Sequence, residues 1–481
     1  MRLTAPCRYV LRSSISFALA AVVAICLGLA SSPAQAQDSQ RDSAVVGRPN
    51  VLFLFSDDQR YDTIAALGHP EIKTPNIDKL VNNGFAFTHA FCQGSTSGAV
   101  CIPSRAMLMS GRSVFHAKHQ LQDQTTFPQR MRRDGYYTFG TGKWHSGKPS
   151  YARSFDNGGG IFFGGMSNHE KVPVFDFQAD GKYPNELRSF GEKFSSELFA
   201  NEAVDFLKSD AAGEKPFMMY VSFTAPHDPR MPPGDYASMY DPDELSLPEN
   251  FMPEHPFDNG ELKIRDEALA PWPRTPEIVR QHLAEYYGMI SHMDAQIGRV
   301  LQALDESGQA ENTLIVFAGD HGLAVGQHGL LGKQNVYDHS VRAPLVFSGP
   351  GIPHGKSDAL CYLYDIFPTI FDLCGLPPLQ EAEGQSLAPV IRGQRSTARG
   401  ELFCIYKDLQ RMARTDQWKI IEYPKIGVTQ LFDIQADPHE LHNLAESEDH
   451  KDELQRMQSL LDKLQVEFDD PLLSPTADGG Q

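Results

Sequence analysis

The 481-residue sequence predicts an α/β fold: a large, mostly parallel central sheet flanked by helices, followed by a smaller antiparallel sheet-plus-helix unit. Three observations carry this. Short β-rich apolar runs alternate with helical patterns between residues 51 and 347. Four of those runs end in polar clusters, and open parallel sheets bind ligands beyond the carboxyl ends of their strands. Past about residue 399 the runs shorten and follow one another directly, the pattern of antiparallel strands.

Taken in order, five runs read as buried strands: 51–55, 136–140, 217–224, 313–318 and 344–347. Between the third and fourth, residues 226–276 are rich in proline, which resists regular structure. This stretch is expected as a surface excursion near the mouth of a site. Val279, Leu283, Tyr286, Ile290, Met293, Ile297, Leu301 and Leu304 then recur at three- and four-residue steps, a strong amphipathic helix that Gly308 ends. Residues 401–406, 411–415, 418–423 and 430–433 read as short antiparallel strands. A helix with Leu454, Met457, Leu461, Leu464 and Phe468 on one face closes the pattern. The chain thus divides into a main domain at 37–398 and a small α+β domain at 399–481, with a loose tail after Pro471.

Residues 1–36 read as an export signal. Arg2, Arg8 and Arg12 form a basic start, residues 17–29 an apolar run, and Ala34-Gln35-Ala36 a small-residue cleavage site. The alternative is a membrane anchor, but the run is short for a bilayer and no stop-transfer pattern follows. Cleavage is therefore expected to leave no stable membrane span and a periplasmic or extracellular protein. The whole chain carries a net charge of −18, and the leader holds three arginines and no acid, so the remainder is more acidic still. Such a chain is a poor partner for nucleic acid or an anionic membrane. An anionic substrate would have to be drawn in locally, by a metal and by Lys or Arg. Five of the seven cysteines lie beyond the leader: Cys92, Cys101, Cys361, Cys374 and Cys404. None forms a Cys-x-x-Cys pair, which disfavours zinc, and the odd number leaves at least one unpaired.

The polar clusters carry the chemistry. Residues 51–55 run into Ser56-Asp57-Asp58, and 136–140 run towards Lys143 and His145. Residues 217–224 run into Pro226-His227, and 313–318 into Gly319-Asp320-His321. If these strands are parallel, the clusters converge on one sheet edge. Asp57, Asp58 and Asp320 would then meet with no obvious cation between them, and three carboxylates repel unless a divalent ion neutralises them. Oxygen ligands favour Ca²⁺ or Mg²⁺; the nitrogen of His321 keeps Mn²⁺ or Zn²⁺ open. Asp57-Asp58 alone would read as a turn or helix cap.

Cys101-Ile102-Pro103-Ser104-Arg105 precedes good helix formers, and Pro103 suits a first helical turn. Cys101 is therefore expected just ahead of a helix N-terminus, where an anion is stabilised. A disulfide with Cys92 and a plain thiolate nucleophile are the alternatives.

Cys-x-Pro-Ser-Arg, with Ser110-Gly111-Arg112 after it, resembles the signature of the formylglycine-dependent type I sulfatases. The similarity extends through Asn50-Val51-Leu52, Thr74-Pro75-Asn76-Ile77-Asp78, Gly140-Thr141-Gly142-Lys143-Trp144-His145, Gly319-Asp320-His321-Gly322 and Gly384-Gln385-Ser386-Leu387. The resemblance implies an alkaline-phosphatase-like fold and hydrolysis of the sulfate ester of a carbohydrate or small organic molecule. It implies that a maturating enzyme oxidises Cys101 to formylglycine during export. The hydrated aldehyde would supply one hydroxyl to attack sulfur and a second whose deprotonation expels sulfate. One divalent ion, Ca²⁺ before Mg²⁺ or Mn²⁺, would be held by Asp57, Asp58, Asp320, His321 and the modified Cys101. Many relatives carry Asn where His321 stands; the iduronate-2-sulfatase-like group carries His.

The same resemblance gives Arg105 the role of fixing the hydrate. Lys143 and Lys333 bind sulfate oxygens, His145 takes the proton that releases sulfate, and His227 protonates the leaving oxygen. Lys333, in Gly332-Lys333-Gln334, reads from sequence as part of a flexible loop. Asp228 and Arg230 are candidate substrate-binding residues, or an ion pair that shapes their loop. The nearest rival activity is a phosphodiesterase or phosphonate monoester hydrolase of the same fold. A non-catalytic binding protein would be expected to have lost Cys101 or a carboxylate. An alkaline-phosphatase-like zinc enzyme would carry more His and Asp ligands and a Ser or Thr nucleophile.

Overall fold

The computed structural model describes residues 47–473. The leader at 1–36 and the tail beyond 473 lie outside the described residues. In chain order the strands are β1 (Asn50–Ser56), β2 (Gly84–Phe91), β3 (Gly94–Ser95), β4 (Tyr137–Lys143), β5 (Asn157–Phe162), β6 (Pro173–Val174), β7 (Ser189–Phe190) and β8 (Phe217–Ser222). They continue as β9 (Thr313–Gly319), β10 (Arg342–Ser348), β11 (Gly355–Ser357), β12 (Cys361–Tyr362), β13 (Leu402–Tyr406), β14 (Gln410–Arg414), β15 (Trp418–Tyr423) and β16 (Val428–Asp433).

The large sheet runs β11-β2-β10-β9-β1-β8-β4-β5, with β12 also on β2. The four strands whose ends carry the polar clusters, β1, β4, β8 and β9, are mutually parallel: β1 pairs with β8 and β9, and β4 with β8. The fifth predicted strand, β10, is antiparallel to both its neighbours. An apolar run reads the same in either direction, so sequence gave no sign of this.

Both faces of β1 are buried. Val51, Phe53 and Phe55 enter one core, with Ala106, Met107 and Leu108 of the Cys101–Ser110 helix. Leu52 and Leu54 enter the other, with Phe199 and Ala203 of the Ser195–Leu207 helix and Met289, Met293 and Ile297 of the Pro276–Glu306 helix. Burial on two sides is why the strand is continuously apolar rather than alternating. The 31-residue helix starts at the N-cap Thr275, whose side chain accepts the Ile278 amide, and Gly308 follows its end in a left-handed conformation. No helix among the described residues is long and apolar enough to cross a membrane.

The smaller sheet runs β16-β15-β14-β13-β3; β13 to β16 are antiparallel, as expected. The Lys451–Glu467 helix buries Met457, Leu461 and Leu464. The unforeseen member is β3, two residues from the first part of the chain, which pairs in parallel with β13. Residues 226–275 hold short 3₁₀ turns and one isolated bridge, Phe251 to Gln327, consistent with their prolines. They are not wholly superficial. Glu267 and Arg274 form a buried pair, and the Glu267 carboxylate accepts the amides of Leu331 and Gly332. The excursion is thereby tied to the segment that carries Lys333.

Candidate active site

The parallel arrangement brings the polar clusters together. Asp57 and Asp58 leave β1, Asp320 and His321 leave β9, Lys143 is the last residue of β4, and His227 follows β8. Cys101 is the first residue of the Cys101–Ser110 helix, one position further in than expected, and its thiol is buried. Its Sγ lies 3.1 Å from His321 Nε2, 3.2 Å from Lys333 Nζ and 3.5 Å from Asp58 Oδ1. Burial pushes the thiol pKa well above its usual value despite Lys143 and Lys333, so the side chain is a thiol and not a ready thiolate. It is no disulfide either: Cys92, Cys101, Cys361, Cys374 and Cys404 are all free and buried.

The expectation of carboxylates with no cation among them is overturned. Lys143 Nζ is 2.5 Å from Asp57 Oδ2, and Lys333 Nζ is 2.7 Å from Asp58 Oδ2. Arg105 Nε is 3.1 Å from Asp320 Oδ2, and its NH2 is 3.5 Å from Asp57 Oδ1. Arg105 also donates to the Lys143 carbonyl at 3.0 Å and to Ser222 Oγ at 2.6 Å. Sited one turn after Cys101 on the same helix, it braces the carboxylates from beneath. Lys333 is deeply buried, not loosely held. These cations, each singled out in the sequence for another role, come from segments far apart along the chain, which is why their pairing with the carboxylates was not legible there.

The ion pairs shift the carboxylates unequally. Burial alone would raise Asp57, but Lys143 and Arg105 outweigh it and hold its pKa well below the ordinary range. Asp58 is likewise raised by burial and lowered further by His227 and Lys333. Asp320 is pushed up to about 6, by burial first and by Asp57 and Asp58 besides, against His321 and Arg105.

The histidines are oriented by backbone. A ring nitrogen beside a carbonyl must carry the proton. His321 Nδ1 therefore donates to the Gly322 carbonyl at 2.8 Å, which turns the bare Nε2 towards Cys101 and Asp58. His227 Nδ1 donates to the Asp228 carbonyl at 2.8 Å, leaving Nε2 facing Asp58 Oδ2 at 3.7 Å. His145 has a left-handed backbone, and its pKa falls to about 2 through burial, Lys143 and Arg105. It is therefore a neutral imidazole.

The donor set suits a divalent ion. Single ligand atoms of Asp57, Asp58, Cys101 and His321 lie within 4.8 Å of one another, all buried. Asp57 Oδ1 is buried without a hydrogen-bond partner; Asp320 falls outside this group of ligand atoms but lies beside it, accepting the Asp58 amide at 2.9 Å. Oxygen-rich ligation with one imidazole fits Ca²⁺, Mg²⁺ or Mn²⁺. The His321 bond to a carbonyl is the outer contact that metal-ligating histidines need.

Above this centre opens a cleft of about 440 Å³ lined by Cys101, His145, His227 and Lys333, and by Glu261, Arg265, Asp266 and Lys407. Asp228 and Arg230 do not pair with each other. Asp228 accepts two bonds from Arg265, at 2.7 and 3.0 Å, and Arg230 reaches His282 at 2.9 Å. Neither Asp228 nor Arg230 lines the cleft; Arg265, the partner of Asp228, does. Arg265 and Lys407 were missed: the adjacent Arg-Asp pair in the proline-rich stretch was the one signal for the first, and nothing marked the second.

A family model described as Sulfatase matches residues 49–376, and one described as N-sulphoglucosamine sulphohydrolase, C-terminal, matches 326–467. An arylsulfatase of Clostridium perfringens is 28% identical over 86% of this chain and 94% of its own length. An N-acetylglucosamine-6-O-sulfatase of Bacteroides thetaiotaomicron is 26% identical over 88% and 87%. Among solved structures, a protein in complex with its substrate D-glucosamine-2-N,6-O-disulfate superposes with a TM-score of 0.74 at 23% identity, covering 88% of this chain and 99% of that one. A phosphonate monoester hydrolase of Agrobacterium radiobacter superposes at 0.68 with 24% identity, covering 88% and 96%. These similarities span both sheets and the converged strand ends, and the chain belongs to the sulfatase family of the alkaline phosphatase superfamily, as a sulfuric ester hydrolase.

Proposed function

We propose that this enzyme is exported, that Cys101 is converted to formylglycine by a maturating enzyme on the way, and that it hydrolyses the sulfate ester of a carbohydrate or small organic alcohol. The observation that supports this reading is the setting of Cys101. Its Sγ lies at a helix N-terminus, against Lys333, His321 and Asp58 at the floor of the cleft. Bound Ca²⁺ would supply Lewis-acid chemistry, and Asp57, Asp58, Asp320 and His321 are the residues that would hold it.

The remaining roles belong to the chain's own residues. The three carboxylates balance Arg105, Lys143 and Lys333, so a divalent ion leaves the pocket net positive towards a sulfate ester. Lys143 and Lys333 bind sulfate oxygens. Neutral His145 accepts the proton whose removal releases sulfate. His227 protonates the leaving oxygen through Nε2, since Nδ1 is held by a carbonyl. Burial depresses the His227 pKa, and Asp58 opposes the shift; an arriving ester anion would raise it further.

The test is peptide mass together with turnover. Secreted, active protein should carry an aldehyde or its hydrate at Cys101 and cleave nitrocatechol sulfate faster than an aryl phosphate diester. An intact thiol in active protein refutes the formylglycine reading. Faster diester or phosphonate cleavage selects the alternative activity of the same fold.

A further inference from the structure

Between β5 and the Ser195–Leu207 helix, one loop meets both of the histidines that move protons. Gly165 lies against His145: a β-carbon there would come within 2.7 Å of Nε2 and 2.9 Å of Cε1. Both Gly165 and Met166 line the cleft. Four residues after Gly165, His169 is 2% exposed, and its Nε2 sits 2.9 Å from the main-chain carbonyl of His227. A ring nitrogen beside a carbonyl carries the proton, so His169 donates to it. Nδ1 is left as an acceptor, 2.8 Å from Ser195 Oγ and 3.3 Å from Thr224 Oγ1. Thr224 in turn donates to Ser195 Oγ at 2.8 Å. The ring stacks on Phe194 with centroids 5.2 Å apart. Burial lowers its pKa to about 4, so near neutral pH it is an uncharged imidazole with one fixed tautomer.

These contacts grip the turn that carries His227. The turn is closed by the His227 amide, which donates to the Thr224 carbonyl at 3.1 Å, and is tied to the end of β1 by the Asp57 amide, which donates to the Ala225 carbonyl at 3.1 Å. His169 supplies a further tie, on the main chain of His227 itself. We propose that His169 is a positioning residue that aims Nε2 of His227 at the departing oxygen by fixing its main chain, and that Gly165, on the same loop, leaves His145 the room its ring needs. This rests on the roles proposed above for His227 and His145. Proton transfer depends steeply on geometry: a displacement of about 1 Å costs on the order of a hundredfold.

The experiment uses the intact exported protein and a series of aryl sulfates, from 4-nitrophenyl to unsubstituted phenyl, and reads the slope of log kcat/KM against leaving-group pKa. Losing general-acid help steepens that slope, because poorer leaving groups must then depart without a proton. His227→Ala sets the full change. His169→Ala should give part of it, with phenyl sulfate losing about tenfold more than 4-nitrophenyl sulfate. His169→Gln, which keeps a donor for the carbonyl, should bring the slope back towards wild type. Should His169→Ala not fold, Ser195→Ala, which removes the partner of Nδ1, steepens the slope in the same sense. Gly165→Ala acts on the other histidine: it should lower kcat for every ester alike, leave kcat/KM and its slope unchanged, and give a burst of nitrophenol as sulfate release becomes limiting. A parallel loss across the series in the folded His169 and Ser195 variants overturns the inference, since a merely structural role would slow all esters equally. A slope left unchanged by His227→Ala removes the acid role on which the inference rests.

Discussion

The phenol of Tyr286 donates to the Asp58 carbonyl at 2.6 Å and accepts the Arg60 amide at 2.9 Å. The long Pro276–Glu306 helix thus clasps the turn after β1. Asp58 needs the clasp, because its φ of 64° lies in the left-handed region that non-glycine residues avoid. That conformation directs its carboxylate to Lys333 and Cys101, while its amide bonds to Asp320.

Tyr286→Phe removes the clasp and keeps the ring. Ca²⁺ affinity should fall about 10- to 100-fold, the usual cost of losing an outer contact to a metal ligand. Calorimetric titration of chelator-washed protein reads this without reference to turnover. Lower thermal stability with unchanged affinity would mean that Tyr286 merely supports the fold.

His227→Ala should separate leaving groups. A sugar hydroxyl needs its proton in the transition state; nitrophenolate is stable without one. General-acid help is worth about a hundred- to ten-thousand-fold, so sugar or alkyl sulfates should lose that much more than nitrophenyl sulfate. Equal losses on both classes would remove His227 from the acid role.

Cys101→Ser should fold, because a hydroxyl can take up the contacts with Lys333 and His321. It should turn over no more than once, since a serine ester has no second hydroxyl with which to expel sulfate. Circular dichroism and a single-turnover assay check the two halves of the statement.

Asp338 ties the segment before β10 to the small sheet. Its carboxylate lies 2.8 Å from both Arg414 and Lys419, and its amide bonds to Glu440. Burial alone would raise its pKa, but Arg414 and Lys419 hold it well below the usual carboxylate value. A depressed folded-state pKa gives stability that is fully present above the unfolded value of about 3.9 and lost as pH falls below it. Asp338→Asn should cost about 3–5 kcal/mol at pH 7, by leaving buried cations unanswered. Urea denaturation at pH 7 and pH 3 should show the gap from wild type narrowing in acid.

The parts legible in sequence were those that periodicity or strand-end position encodes. β1, β4, β8 and β9, the long helix and the Asp57-Asp58, Asp320-His321 and His227 positions stand where the pattern put them, because a buried parallel strand is a continuous apolar run with its chemistry at one end. Direction escaped for β10, and existence for β2 and β5 of the large sheet and for β3, whose two residues carry no period. Side-chain partners escaped most. That Lys333 answers Asp58, or that Asp228 turns to Arg265 and not to Arg230, depends on segments the fold brings together, and spacing along the chain holds no such distance.

The pairing of β3 with β13 sets a clock. Gly94 lies so close to β13 that a β-carbon there would meet the Ile405 carbonyl oxygen at 1.8 Å. β3 therefore cannot settle until Leu402–Tyr406 has been made, roughly three hundred residues later, or about 15–60 seconds of synthesis at ordinary rates. Cys101 follows β3 by a few residues and is 2% exposed once folding is complete. An agent that alters its thiol therefore has at least that interval in which the segment around Cys101 cannot yet have closed against β13.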